Sequence, residues 1–139
     1  MLPTEPLPLH HSWPLDAPAG GMAQGMSFDP GRLPDASGRW QCDLASDTLI
    51  WDATVRALFG LPPGTAPTRD YALRCYAEDS RAAMERLRAH AIRHRRGFTL
   101  DVEIGPPACA RQWVRLMAMP ILDGGRVVAL AGVKRRLDA

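Results

Sequence analysis

No stretch of the chain approaches the ~20 consecutive apolar residues that a membrane-spanning helix requires. The N-terminus, MLPTEPLPLHHSWPLDAPAGG, has neither a basic start nor an unbroken apolar run, which argues against a secretory signal. The three cysteines, Cys42, Cys75 and Cys109, are odd in number and form no Cys-x-x-Cys pair. That argues against a disulfide framework or a zinc site and for a reducing, cytoplasmic setting. Gly-x-Ser-x-Gly, a phosphate-binding glycine loop and His-Glu-x-x-His are all missing, so no common catalytic constellation is signalled and the chain reads as a non-enzyme. A net charge of +2 is too small to argue for nucleic acid on its own.

What is present fits one globular domain. The chain has 139 residues, 46% hydrophobic and 23% charged, enough for a core without staples. Residues 1–38 hold 7 of the 13 prolines and 5 of the 12 glycines. Proline removes backbone donors and fixes φ, so residues 1–37 read as an arm with at most a helical turn near Met22–Phe28. Leu7, Leu9, Trp13, Met22, Met26 and Phe28 offer anchors by which it would wrap the domain, residues 38–136.

From Gly38 the pattern becomes periodic. Trp40, Cys42 and Leu44 alternate with Arg39, Gln41 and Asp43, which predicts a half-buried strand. A turn over Ala45–Asp47 and a second short strand through Trp51 complete a hairpin. Asp52 is placed to cap a helix containing Val55, Leu58 and Phe59, with Gly60 at its end. Residues 68–80 predict one or two helical turns. A long helix follows, capped by Asp79 or Ser80 and ended by Gly97, with Met84, Leu87 and Ala91 inward and Arg81, Arg88 and Arg95 outward. Phe98 to Ile104 alternates strictly. The segments Arg111–Leu122, with apolar residues on both faces, and Arg126–Arg135 read as two further strands over an Asp-Gly-Gly turn. The result is an α+β fold, a five-stranded antiparallel sheet with helices on one face.

At this point the residues resemble a known family. Gly38, Trp40, Asp43, Leu44, Trp51, Leu58, Phe59 and Gly60 fall on the opening pattern of PAS domains of the Gly-x-Trp-x-x-Asp-Leu subgroup. Glu78, Asp79 and Arg81 resemble the family's approach to its long helix, although Tyr76 and Ala77 replace the usual His-Pro. The strand from Arg111 through Val114, the Gly-Arg turn and the closing Gly-Val resemble the family's end. Two features depart from it: the loop Gly105–Ala110 replaces an Asp-Gly turn, and the sequence closes on VKRRLDA with no effector, which reads either as a stand-alone module, favoured by Met1 and the N-terminal arm, or as an excised fragment.

The resemblance implies a sensory module in signal transduction that acts through protein contact, as a homodimer or with a histidine kinase of a two-component system. Its contact surface is expected on the outer sheet face, at Arg39, Gln41, Val114, Leu116, Ala118, Val127 and Ala129. The alternative is a small-molecule sensor with an occupied pocket. Trp40, Cys42, Ile50, Phe59, Tyr71, Met84, Leu87, Leu100, Met117 and Leu130 would line it, with Arg115 as polar anchor, although a packed core would use the same residues. A small cone-shaped α+β enzyme is a third reading. No cofactor is expected. Flavin photochemistry needs an Asn-Cys-Arg helix that is missing. Haem or a metal has only His90 and His94, spaced i, i+4 among arginines, and solvated histidines explain that spacing equally well. The arginine stripe, broken by Glu85 and lacking exposed aromatics, reads as a solvated face rather than a nucleic-acid groove.

Overall fold

The computed structural model describes residues 11–15, 37–62, 64–107 and 110–137. These form the strands β1 (Ser12–Pro14), β2 (Ser37–Asp43), β3 (Leu49–Trp51), β4 (Arg96–Ile104), β5 (Gln112–Asp123) and β6 (Arg126–Leu137) and the helices α1 (Ala53–Leu58), α2 (Arg69–Cys75) and α3 (Glu78–His94). The strands make one antiparallel sheet in the order β1-β4-β5-β6-β2-β3. It has six strands rather than five because Ser12–Pro14, from the proline-rich arm, pairs with Arg96–Phe98 at the β4 edge. The turn expected near Met22–Phe28, the anchors Leu7, Leu9, Met22, Met26 and Phe28, and Cys109 lie outside the described residues.

Cross-strand register fixes which side chains share a face. Trp40 and Cys42 of β2, Trp51 and Leu49 of β3, Phe98, Leu100 and Val102 of β4, Val114, Leu116 and Ala118 of β5, and Leu130 and Lys134 of β6 all stand on the inner face. Val55 and Leu58 of α1, Ala72 and Cys75 of α2, and Met84, Leu87 and Ala91 of α3 close over them. This corrects the expected contact surface. Val114, Leu116 and Ala118 belong to the core, and Val127 packs against it. Strict alternation along β5 puts one set of apolar residues in and another out, and periodicity cannot say which when both sets are apolar. Arg39 and Gln41 do face outward and are exposed, while Ala129, on the same face, is buried.

Local chemistry explains the element ends. The Asp52 carboxylate accepts from Val55 N at 3.0 Å as the α1 cap and from Arg39 N at 2.8 Å, joining the helix to β2. Gly60 follows the C-cap residue Phe59 with φ 62°, a left-handed conformation suited to glycine. Long helix α3 starts earlier than expected. Its cap residue is Ala77, without a side-chain cap bond, and the Ser80 hydroxyl instead accepts from Glu103 N at 2.8 Å. It stops at Arg95, itself left-handed, rather than at Gly97.

Gly97 has another role. It lies in β4 against the Trp13 indole, which would overlap any Cβ built there, and Trp13 Nε1 donates to Thr99 Oγ1 at 3.1 Å. Arg96 Nε adds a bond to Ser12 Oγ at 2.6 Å. Gly97→Ala is therefore expected to displace Trp13 from the sheet and lower stability by about 1–2 kcal/mol. Red-shifted tryptophan emission with a lower urea midpoint would report it, and an unchanged spectrum would show that β1 docks without the stacking.

Candidate functional site

Between the inner sheet face and α2 and α3 lies a cavity of about 60 Å³. The hairpin β2–β3 supplies Trp40, opposite Trp51, and Cys42, opposite Leu49. Met84 comes from α3, Leu116 from β5 and Leu130 from β6. The walls are therefore mostly apolar, but the charged groups at the cavity share one sign. Lys134 of β6, Arg69 of α2 and Arg88 of α3 line it, and among the described residues no Asp or Glu does.

Lys134 is the chain's only lysine against sixteen arginines, and it is 95% buried, with a relative exposure of 5%. Its register opposite Leu116 points it inward. Its Nζ stands 4.7 Å from the Phe59 ring centre, 5.1 Å from Trp40 and 5.4 Å from Trp51. Trp51 and Phe59 themselves stack at 4.6 Å. Among the described residues no carboxylate pairs with Lys134 and no acceptor hydrogen-bonds it. Burial pushes its pKa from the ordinary 10.5 down to about 7, with the nearby Cys42 and Cys75 sulfurs opposing the shift. The three π faces favour the charged form as well, each worth on the order of 1 kcal/mol.

The two indoles at the cavity also lack acceptors. Trp40 Nε1 and Trp51 Nε1 are buried without a partner. Arg69 bonds Glu85 at 2.6 Å, and Arg88 makes a long 3.9 Å ion pair with Asp47 across from the hairpin turn. Arg88, expected outward, is thus turned to the cavity. Burial raises the Cys42 thiol pKa, Arg88 partly opposing, and burial raises that of Tyr76.

Of the residues expected at a pocket, Trp40, Cys42, Met84 and Leu130 line this one. Phe59 approaches it through Lys134, and Leu87 and Leu100 are core. Tyr71 donates to Phe59 O at 2.6 Å, tying α2 to the end of α1. Three are misplaced by the expectation. Ile50 stands opposite Gln41, outward and 61% exposed. Met117 lies on the outer face, and so does Arg115, which bonds Asp101 at 2.8 and 3.1 Å. The His90 and His94 ring centres lie 4.5 Å apart near the end of α3, tilted by 44°, with burial, His94 and Arg96 lowering the His90 pKa. Neither lines the cavity, and among the described residues no group of three His, Cys, Asp or Glu side chains could hold a metal.

The cavity is small as it stands. A cavity of about 150 Å³ admits one benzene ring, and 60 Å³ is less than half of that. Fused three-ring and macrocyclic groups would require the aromatic cage to open.

Neither a protein-family model nor a curated protein matches the sequence. Solved structures do match in fold. An RNA-binding light-oxygen-voltage receptor aligns with a TM-score of 0.64 at 17% identity over 73% of this chain, which spans 29% of that receptor. The N-terminal domain of a diguanylate cyclase with a PAS/PAC sensor from Marinobacter aquaeolei aligns at 0.65 and 15% identity, over 72% of this chain and 94% of that one. A sensory box histidine kinase/response regulator from Burkholderia thailandensis aligns at 0.63 and 12% identity, over 73% and 77%. The six-stranded antiparallel sheet with its helices on one face is a PAS fold.

Proposed function

We propose that the chain is a non-catalytic sensory module that binds a small molecule in the cavity around Lys134 and passes its state on by protein contact. The observation that carries the reading is Lys134 itself. A buried, unpaired amine is costly, and such groups cluster at functional sites. A chain that uses arginine everywhere else places its one lysine there. Lysine shifts its pKa on burial more readily than arginine, which stays charged.

The outer sheet face is the natural output. Ile50 and Trp113 are 61% and 50% exposed on it, and Gln41, Ile50 and Ala131 border a shallow depression. A second copy or a histidine kinase is the partner class that the fold suggests, in the cytoplasm, where the buried thiols Cys42 and Cys75 would stay free.

Natively purified protein, denatured and extracted for mass spectrometry, is expected to release a small colourless compound, with no visible absorption bands. Bound flavin or haem would overturn the cavity reading. An empty extract together with a dimer disrupted by Ile50→Asp would favour contact alone as the function. A strict monomer at high concentration by light scattering would count against self-association.

A further inference from the structure

We propose that the cavity ligand is a short-chain organic carboxylate, its anionic head held at Lys134 beside the Trp40 and Trp51 indoles and its few carbons against Leu116 and Leu130. The inference rests on the ligand-binding reading above and adds the chemical class. Three observations select it.

The first is donor count. Lys134 Nζ brings up to three N–H donors to the cavity that it lines, with no protein acceptor for any of them among the described residues, and the Trp40 and Trp51 side chains beside it each keep a buried Nε1–H without a partner. A group that only accepts satisfies this set, and an ionised carboxylate, with two oxygens and about four lone-pair sites, is such a group. An alcohol or primary amide would bring donors of its own, and a cationic ligand would meet like charge.

The second is charge. Lys134, Arg69 and Arg88 all line the space and no acid does. The two arginines have acidic neighbours outside it, Glu85 and Asp47. That leaves Lys134 as the cation without a counter-charge.

The third is size and wall chemistry. Sixty cubic ångströms, less than half the space that admits a benzene ring, with mainly apolar walls favours the smallest carboxylates, of about two or three carbons. An inorganic anion such as phosphate has no carbons to set against Leu116 and Leu130, so its desolvation would not be offset by apolar burial.

Binding should be coupled to proton uptake. The titratable and charged groups around Lys134 are Cys42 of β2 and Cys75 of α2, which act on it directly, and Tyr76, Arg69 and Arg88, which line the same cavity. Burial raises the Cys42 and Tyr76 pKa values, and arginine does not titrate in this range. Lys134, near 7, is thus the group whose charge changes around neutrality. If only the ammonium form binds, affinity should fall about tenfold between pH 6 and pH 8.

Calorimetry and two-dimensional amide spectra resolving the indole N–H signals test this with acetate, propionate and butyrate. Propionamide, propylamine and inorganic phosphate at matched ionic strength are the comparators. The expected result is saturable binding of the carboxylates alone, shifts of the Trp40 and Trp51 indole signals, and the tenfold pH effect. Lys134→Met, checked for folding by near-ultraviolet circular dichroism, should lose both binding and pH dependence. Propionamide or phosphate binding as tightly as propionate would overturn the carboxylate assignment but leave a ligand site. Undiminished propionate binding by Lys134→Met would remove Lys134 as the anchor and overturn the proposal, and a non-carboxylate released from native protein while no carboxylate binds would overturn the ligand class. No binding by any probe together with an empty native extract would overturn both.

Discussion

Lys134→Met is expected to make the protein more stable, by about 2–4 kcal/mol at pH 7 and below. The side chain is 95% buried, and its pKa stands near 7 against an ordinary 10.5. Each unit of depression represents about 1.4 kcal/mol by which the folded state disfavours the ammonium relative to the unfolded state. Contact with Phe59, Trp40 and Trp51 recovers part of this, which is why the expected gain is below the full shift. Methionine keeps an unbranched stem of similar length and removes the charge. Below pH 7 the amine is protonated in both states, so the whole cost is present. Between about pH 7 and 10.5 the unfolded chain binds more protons, and wild-type stability should climb relative to the variant. Above that window the difference should vanish. Urea unfolding of both proteins at pH 6, 8 and 10 measures it. A variant less stable than wild type at every pH would show that the cage needs the ammonium for packing, and would remove the argument that Lys134 is retained for binding.

The site was only partly legible before the structure, and Lys134 shows why. In GVKRR it reads as one of three terminal cations, and terminal cations are ordinarily solvated. Two signals pointed the other way. It is the only lysine in the chain, and it falls two residues beyond Gly132 and four beyond Leu130, the inward positions of the last strand. Carried one repeat further, the strand period places it inside. The same period failed on β5 for a different reason. Val114, Leu116 and Ala118 alternate with Arg115, Met117 and Met119, so both faces carry apolar residues and only pairing with Val102, Leu100 and Phe98 settles the side. Ile50 went astray because β3 is three residues long, too short for alternation to register.

The fold itself was more readable. The hairpin around Trp40 and Trp51, the Asp52 cap, the inward stripe of Met84, Leu87 and Ala91 and the final meander rest on local patterns that tertiary packing did not overrule. Local and global preferences agree in those segments. The sixth strand was not readable. Ser12–Pro14 sits in a proline-rich stretch with no strand period, and it pairs because Trp13 finds the flat backbone of Gly97, a contact 84 residues away in sequence.

Gly132→Ala should be the most damaging single methyl addition among the described glycines of the sheet, costing about 3 kcal/mol or more. Gly132 pairs with Ala118 on one side and Trp40 on the other, in the middle of the sheet. A Cβ built there would overlap the Met117 carbonyl oxygen and lie 2.8 Å from its carbon and 3.1 Å from Ala118 Cα. Those are backbone atoms of the neighbouring strand, which cannot rotate aside as the tip of a side chain can. Relief requires β5 and β6 to move apart, and the ladder bonds around Ala118 lengthen with them. Marginally stable domains have on the order of 5–15 kcal/mol in total, so the loss is a large fraction. The damage should reach the cavity too, since Leu116 and Lys134 flank the displaced segment on the two strands. Urea midpoints give the stability change, and hydrogen exchange at Ala118 and Val133 should rise first. Gly64→Ala, where nothing lies within 4 Å but φ is +85°, is the comparison. It should cost only about 1 kcal/mol through its left-handed backbone. Equal losses at the two positions would show that conformational preference, and not the approach of the β5 backbone, is why residue 132 is glycine.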